Sequence, residues 1–268
     1  MKPVLKYSGS KWGIAKWIVS NMPAHDTYLE PYFGSGAVFF NKTPSRSETL
    51  GDVDSRITNL FRIIRDKPGE LATLVDMTPW SREEYYRSYE LTGDEVEDAR
   101  RFMIRCWMGF GSKTSDRVGW KNDVQGINGA FTTRQWNALP EQIYIVTARL
   151  KNAQIENQPA LQLIERYRYP SVLIYADPPY PLSTRSKRQY AYEMKDSDHI
   201  ELLDALDIHP GPVILSSYAC PLYDDRLTHW ERRTIKGRAE GGRSREEVLW
   251  LNQIAVESIP SRLFKGDD

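Results

Sequence analysis

Short apolar runs alternate with stretches of helical periodicity, and this rhythm constrains the 268-residue chain more than any other feature. Candidate strands lie at 27–30, 49–52, 154–156, 172–176, 212–217 and 248–252. Between them, residues 14–22, 57–65, 159–167 and 199–208 repeat apolar side chains at helical spacing. Asp198 is placed to cap the last of these helices. Strands joined through helices run parallel, so the pattern predicts an α/β fold, a Rossmann-like doubly wound sheet. The rhythm fails from 67 to 147, where a helical stretch at 95–108 precedes a Gly-, Asn- and Trp-rich run from 109 to 136. A long segment without strands inside an α/β chain reads as an insertion. The expected organisation is a discontinuous sheet domain over 1–66 and 148–268, with an inserted, mostly helical and irregular domain over 67–147.

With 40% hydrophobic and 12% aromatic residues, the chain can bury a substantial core and does not have a disordered composition. Cys106 and Cys220 are far apart and lack metal-ligand spacing, so neither a disulfide framework nor a metal site is expected. No apolar run approaches membrane-spanning length, and the expectation is a soluble cytoplasmic protein. The formal net charge is zero, but the charge is uneven. Arg232, Arg233, Lys236, Arg238, Arg243 and Arg245 crowd one stretch, and Arg185, Lys187 and Arg188 another. Basic stretches on both sides of a site suit a polyanion lying over it.

The site they flank is Asp177-Pro178-Pro179-Tyr180, at the mouth of the apolar run Val172-Leu173-Ile174-Tyr175-Ala176. Prolines lack an N–H and fix φ, so the carbonyls after the strand are held in place. Asp177 and the Pro178 carbonyl can then accept both hydrogens of one amino group, while Tyr180 offers a stacking face. That arrangement suits a planar, amine-bearing ring. A second segment, Glu30-Pro31-Tyr32-Phe33-Gly34-Ser35-Gly36, leads from a strand into a Gly-x-Gly turn. Such glycines let a ligand approach the backbone. One strand later, in Gly51-Asp52-Val53-Asp54, Asp52 is placed to accept from a ribose hydroxyl pair, and Asp54 is close enough to compete. The full G-x-G-x-x-G pattern is absent, which favours a nucleoside-type ligand over a dinucleotide. In a third segment, Lys6-Tyr7-Ser8-Gly9-Ser10-Lys11, Lys11 can reach a carboxylate and Tyr7 can pack on a flat ring.

Taken together, and in this order, these segments resemble the Dam-like, or D12-class, adenine-N6 DNA methyltransferases. The resemblance covers roughly residues 1–65 and 150–252, with Ser10 in place of a usual Gly and Tyr32 in place of a usual Phe. It implies the fold of the class I S-adenosylmethionine-dependent methyltransferases. It also implies that S-adenosyl-L-methionine is held by Tyr7, Lys11, Glu30, the turn Phe33, Gly34, Ser35 and Gly36, Asp52 and Asp177. Asp177, Pro178 and Tyr180 would form the catalytic pocket for an adenine flipped out of double-stranded DNA. The insertion would read the target sequence. Lys113, Arg117, Lys121 and Asn122 there offer suitable base-edge and phosphate contacts. Arg185, Lys187 and Arg188 would clamp phosphates beside the pocket. The late basic loop 237–245, with Arg238 and Arg243, is similar to a DNA-facing loop of the family. A cytosine-N4 or RNA-adenine methyltransferase is an alternative with the same site. So is a homologue that binds DNA or cofactor without catalysis. The sequence implies no obligate protein partner, and a monomer or weak dimer is expected in the cytoplasm of a prokaryotic or phage-infected cell, near the nucleoid. Membership of a restriction-modification pair is compatible with the pattern.

Overall fold

The computed structural model describes residues 1–122, 129–185, 188–238 and 244–259. Helix α1 (Ala15–Ser20) leads to strand β1 (Thr27–Glu30), then β2 (Ser47–Gly51) and helix α2 (Ser55–Asp66). Five helices follow: α3 (Pro68–Asp76), α4 (Arg82–Arg87), α5 (Glu95–Met108), α6 (Gly129–Asn137) and α7 (Leu139–Leu150). The chain then re-enters the sheet as β3 (Ala153–Glu156) and continues through α8 (Ala160–Arg166), β4 (Val172–Ala176), α9 (Asp196–Asp207) and β5 (Val213–Ser217). It closes with α10 (Pro221–Arg226), β6 (Glu231–Arg238), β7 (Ser244–Leu251) and α11 (Gln253–Ser258).

The seven strands form one sheet in the order β3-β2-β1-β4-β5-β7-β6. Strands β1 to β5 are mutually parallel, and β7 runs antiparallel to both β5 and β6. Alternation along the strands sorts the core into two layers. Tyr28, Leu173, Tyr175, Ile214, Leu249 and Leu251 join one cluster with Phe61 of α2 and Val146 of α7. Leu29, Val172, Ile174, Leu215, Val248 and Trp250 join the other, with Leu163 of α8 and Leu202 of α9. All of β4 is buried, as its wholly apolar sequence requires of a strand covered on both faces. From β1 the sheet grows one way through β2 and β3, and the other way through β4 and β5. Crossovers leave opposite faces at that switch point, which opens a crevice at the carboxyl ends of β1 and β4.

The helices within 67–147 extend this core. Leu71 and Val75 of α3, Phe102 of α5 and Ile143 of α7 share a cluster with Leu60 and Phe61 of α2. A buried ion cluster ties α7 to the sheet, with Lys42 Nζ 2.6 Å and Arg149 Nη2 2.7 Å from Glu48 Oε1. Asp198 is not the N-cap residue of α9 but the far side of its capping box. It is the third helical residue, and its Oδ2 accepts from the N–H of the N-cap Lys195 at 2.8 Å. The two ends of the expected loop 237–245 are strand, Gly237 and Arg238 pairing in register with Arg245 and Ser244 in the β6–β7 ladder, and 239–243 lie outside the described residues. Of the residues expected on DNA, Lys187 and Arg243 lie outside the described residues. Among the described residues no helix is long and apolar enough to cross a membrane, and no cluster of His, Cys, Asp and Glu could hold a metal ion. Cys106 and Cys220 are both buried free thiols.

Candidate active site

The sheet's carboxyl end carries a row of polar side chains on one face. Glu30 ends β1 and shares the side of Tyr28, whose hydroxyl donates to Glu30 Oε2 at 2.8 Å. Asp177 continues the alternation of Leu173 and Tyr175, Ser216 that of Ile214, and Glu247 that of Leu249.

The Gly-x-Gly turn stands above this row. Gly34 and Gly36 have φ of 51° and 68°, in the left-handed region that excludes most side chains. A Cβ on Gly36 would lie 2.5 Å from Phe33 Cζ. Asp52 organises the turn: its Oδ2 accepts from Gly34 N–H and its Oδ1 from Asp54 N–H, both at 2.9 Å. Asp54 is committed elsewhere. Its Oδ1 caps α2 through Arg56 N–H at 3.0 Å, and Arg56 Nη2 lies 2.6 Å from its Oδ2. Asp52 is therefore the acid beneath the turn.

Lys11 reaches a carboxylate, and that carboxylate is Asp177. Its Nζ donates to Gly9 O at 2.7 Å, lies 3.0 Å from Asp177 Oδ1 and sits 4.6 Å from the centre of the Tyr180 ring. Asp177 Oδ1 is buried against this ammonium. Ser10 and Ser35 join the first segment to the turn by a 2.7 Å hydroxyl contact.

A cavity of about 350 Å³ opens between these elements. Tyr7, Lys11, Glu30, Phe33, Gly34, Ser35, Asp52 and Asp177 all line it; Gly36, Pro178 and Tyr180 do not. Gly36 supports the turn from behind, and Pro179, not Pro178, reaches the wall. Tyr180 is buried just beyond Asp177. Its ring packs edge-on against Tyr218 at 4.6 Å, and its hydroxyl donates to Glu247 Oε2 at 2.7 Å and lies 3.2 Å from Ser216 Oγ.

Burial dominates the electrostatics. It pushes Asp177 up to about 6, with Lys11 opposing and Glu247 adding to the rise. It pushes Asp52 to about 7 against the pull of its two backbone donors, and Glu30 to about 8 despite the Tyr28 hydroxyl. Burial would lower the Lys11 ammonium, but Asp177 and Glu247 more than offset it and hold Lys11 above its usual value. At neutral pH the pair is therefore Asp177 carboxylate and Lys11 ammonium.

Arg185 does not point outward to phosphate. Its side chain is 5% exposed, ion-paired to Glu193, and its Nε donates to Tyr180 O at 2.7 Å. Glu193 Oε1 also accepts from the N–H groups of Gln189 and Tyr190, at 2.7 and 3.0 Å. This hub folds the segment after Tyr180 into a roof, placing Tyr190 5.8 Å from the Tyr7 ring and against Gly9. The roof is tied to the segment after α5, because Thr114 and Ser115 N–H both donate to Gln189 O. Arg188 is exposed, as are Arg117 and Asn122. Arg117 lies 4.5 Å above the Tyr86 ring. Lys113 is half-buried, and Lys121 Nζ donates to Trp107 O at 3.3 Å. Arg238 is on β6. Arg232 and Arg233, read as part of a basic surface, are engaged by Asp224 and Glu246 and by Glu231 and Asn21.

Glu247, Ser216, Tyr190 and Glu193 escaped the sequence reading. The signal for Glu247 was the period of its own strand, which puts it on the side of Leu249 and Leu251. Arg245-Glu246-Glu247 reads instead as a solvated charge run.

A doubly wound sheet in which β7 alone is reversed, a glycine turn over an acid after β2 and Asp-Pro-Pro-Tyr after β4 together define a class I methyltransferase domain. More narrowly, the chain belongs to the D12 class N6 adenine-specific DNA methyltransferase family, whose family model matches residues 7–234. It is 27% identical over 275 residues to the type II methyltransferase M1.LlaDCHI of Lactococcus lactis subsp. cremoris, covering 96% of this chain and 95% of that protein. It is 24% identical to the DNA adenine methylases of Serratia marcescens, over 87% of this chain and 90% of that protein, and Escherichia coli K12, over 95% and 96%.

Proposed function

We propose that the protein is a site-specific adenine-N6 methyltransferase that uses S-adenosyl-L-methionine and acts on an adenine flipped out of duplex DNA. The observation that carries this reading is Asp177, buried and ion-paired to Lys11 at 3.0 Å, on the wall of a cavity that the Gly34 turn and Asp52 also line. The residues fit the cofactor. Gly34 leaves its backbone open to close approach, Asp52 retains lone pairs for a ribose diol, and Asp177 is an acceptor for an amino group. When bound, S-adenosyl-L-methionine supplies a sulfonium methyl.

The protein's own part is positioning and preorganised electrostatics. The amine of adenine is a poor nucleophile because its lone pair is delocalised into the ring. Asp177 carboxylate and Pro178 carbonyl accept its two N–H bonds, favour a pyramidal nitrogen and turn its lone pair toward the cavity. The Lys11 ammonium keeps Asp177 charged for this task. Stacking on Tyr180 offsets part of the few kcal/mol that base extrusion costs. The displaced N6 proton leaves by way of Asp177 to water. Target reading falls to the segment within 67–147, where Arg117 and Asn122 are exposed and the Thr114 bond links that segment to the roof of the cavity. Lys113, Lys121 and Arg188 complete the proposed DNA face.

The test is incubation of unmethylated genomic DNA with methyl-labelled cofactor, followed by digestion to nucleosides. Label is expected in N6-methyldeoxyadenosine. Label in N4-methyldeoxycytidine, or none at all, would reject the assignment. Asp177→Ala is expected to lower transfer at least about a thousandfold, a loss on the scale of deleting a key electrostatic group. Its circular dichroism and duplex affinity should stay close to those of the unaltered protein. Near-normal turnover by Asp177→Ala would contradict the mechanism.

A further inference from the structure

We propose that Glu247 is a positioning residue for capture of the target base, its carboxylate fixing the Tyr180 side chain on which the extruded ring stacks. The inference rests on the methyltransferase reading above and adds to it a residue from the reversed strand β7.

The Tyr180 hydroxyl donates to Glu247 Oε2 at 2.7 Å, within the range of a charge-assisted O–H···O contact. Burial, followed by the nearby Asp177 and Glu247 carboxylates, raises the Tyr180 phenol well above its usual value, so it stays a donor at any working pH. The bond anchors the hydroxyl at the far end of the ring and so holds the ring's long axis in place. It does not stop rotation about the axis. That freedom is limited by Tyr218, packed edge-on at 4.6 Å and 75°. At the other end, Arg185 Nε holds the Tyr180 carbonyl at 2.7 Å. Three contacts from three different segments therefore define the ring. Of the groups on the hydroxyl, Glu247 makes the 2.7 Å bond, the Asp177 carboxylate also interacts with it, and Ser216 Oγ is farther away than Glu247, at 3.2 Å. Stacking energy depends on ring offset and tilt. A ring free to swing would leave an extruded base loosely held against Asp177. A small misplacement of reacting groups is costly in rate.

The experiment compares the unaltered protein with Tyr180→Phe, Glu247→Ala, Glu247→Gln and the Tyr180→Phe/Glu247→Ala double variant. It reads kcat and KM on unmethylated genomic DNA, affinity for S-adenosylhomocysteine and thermal midpoint. Tyr180→Phe and Glu247→Ala should each lower kcat by about tenfold to a hundredfold, and the double variant should be no worse than the poorer single one, as coupled residues behave. Glu247→Gln keeps an acceptor and should recover most of the Ala loss. Affinity for S-adenosylhomocysteine should change by less than about twofold, since neither side chain lines the cofactor cavity. A merely structural Glu247 would instead lower the thermal midpoint and cofactor affinity together and give additive losses, and that result overturns the proposal. If Glu247→Ala does not fold, Tyr180→Phe with unchanged kcat overturns it equally. Absence of transfer by the unaltered protein removes the methyltransferase reading and this inference with it. Transfer with additive losses removes this inference alone.

Discussion

Lys11 and Asp177 show how closely the chemistry of the site depends on single charges. In the proposed mechanism Asp177 must be ionised to accept from an amine, and burial has raised it to about 6. A neighbouring cation favours the carboxylate and a neighbouring anion disfavours it. The charged and titratable groups around it are Lys11, Glu247, Glu30, Tyr175, Tyr180 and Tyr190. The acid limb of kcat/KM for the unaltered protein should therefore fall near pH 6. In Lys11→Met it should move up by roughly a unit or more, so that activity lost at pH 7 partly returns at pH 9. In Glu247→Gln the same limb should move down. A pH profile in which both substitutions shift the limb in one direction would exclude this electrostatic account. Asp177, Lys11, Gly34 and Asp52 were legible in the sequence because each belongs to a short motif whose spacing is local. Glu247 was not, because its role exists only through a hydroxyl 67 residues away.

At the level of elements, what the sequence reveals depends on whether burial or context forms the element. Strand β4 is apolar throughout and was plain. Strand β6, Glu231-Arg232-Arg233-Thr234-Ile235-Lys236-Gly237-Arg238, is the edge of the sheet and carries the charges that edges use against unwanted pairing, so it reads as a basic patch. Helices α3 and α7 open with Pro68 and Pro140, which resemble chain breakers yet sit where a helix tolerates proline. The Ser81-to-Glu84 capping pattern before α4 went unread, although Ser81 Oγ accepts from Glu83 N–H at 3.2 Å. The roof over the cavity was illegible for another reason: it is organised by one side chain. Glu193 holds Arg185 and two backbone donors. Its carboxylate titrates below the usual range, because those donors outweigh the burial that would raise it. Glu193→Ala would remove the carboxylate that pairs with the buried Arg185 guanidinium, and breaking a buried ion pair costs on the order of 3–5 kcal/mol. The expected result is a lower denaturation midpoint together with weaker cofactor binding, since Tyr190 loses its support. Unchanged stability would show that the hub carries no load.

Across the whole molecule, the crevice collects carboxylates that the fold holds out of water, and this should be visible in its response to pH. Burial raises Glu30 to about 8, Asp52 to about 7 and Asp177 to about 6. A carboxyl whose folded value lies above its unfolded one binds its proton more tightly in the native state. Its stabilising contribution is complete below the unfolded value and is lost as pH rises through the folded one. Other groups act in the opposite sense but in other windows. Glu48, Glu97 and Glu193 are lowered, so their contribution is complete once pH exceeds the ordinary carboxylate range. Buried His25, His199 and His209 are also lowered, and their contribution is complete near pH 7. Lys6, lowered by burial to about 8, adds stability only as pH rises beyond that value. Between pH 7 and 8, Glu30 should therefore dominate, and unfolding free energy should fall by roughly 1 kcal/mol per pH unit. Glu30→Gln keeps an acceptor for the Tyr28 hydroxyl and removes the titration, so urea denaturation of this variant should give a nearly flat curve across that interval. The decline below pH 7, which belongs to Asp52 and Asp177, should survive the substitution. A curve for Glu30→Gln as steep between pH 7 and 8 as that of the unaltered protein would mean that Glu30 is already ionised in the native crevice. The charge opposing Asp177 would then be larger than the geometry of Lys11 alone can balance.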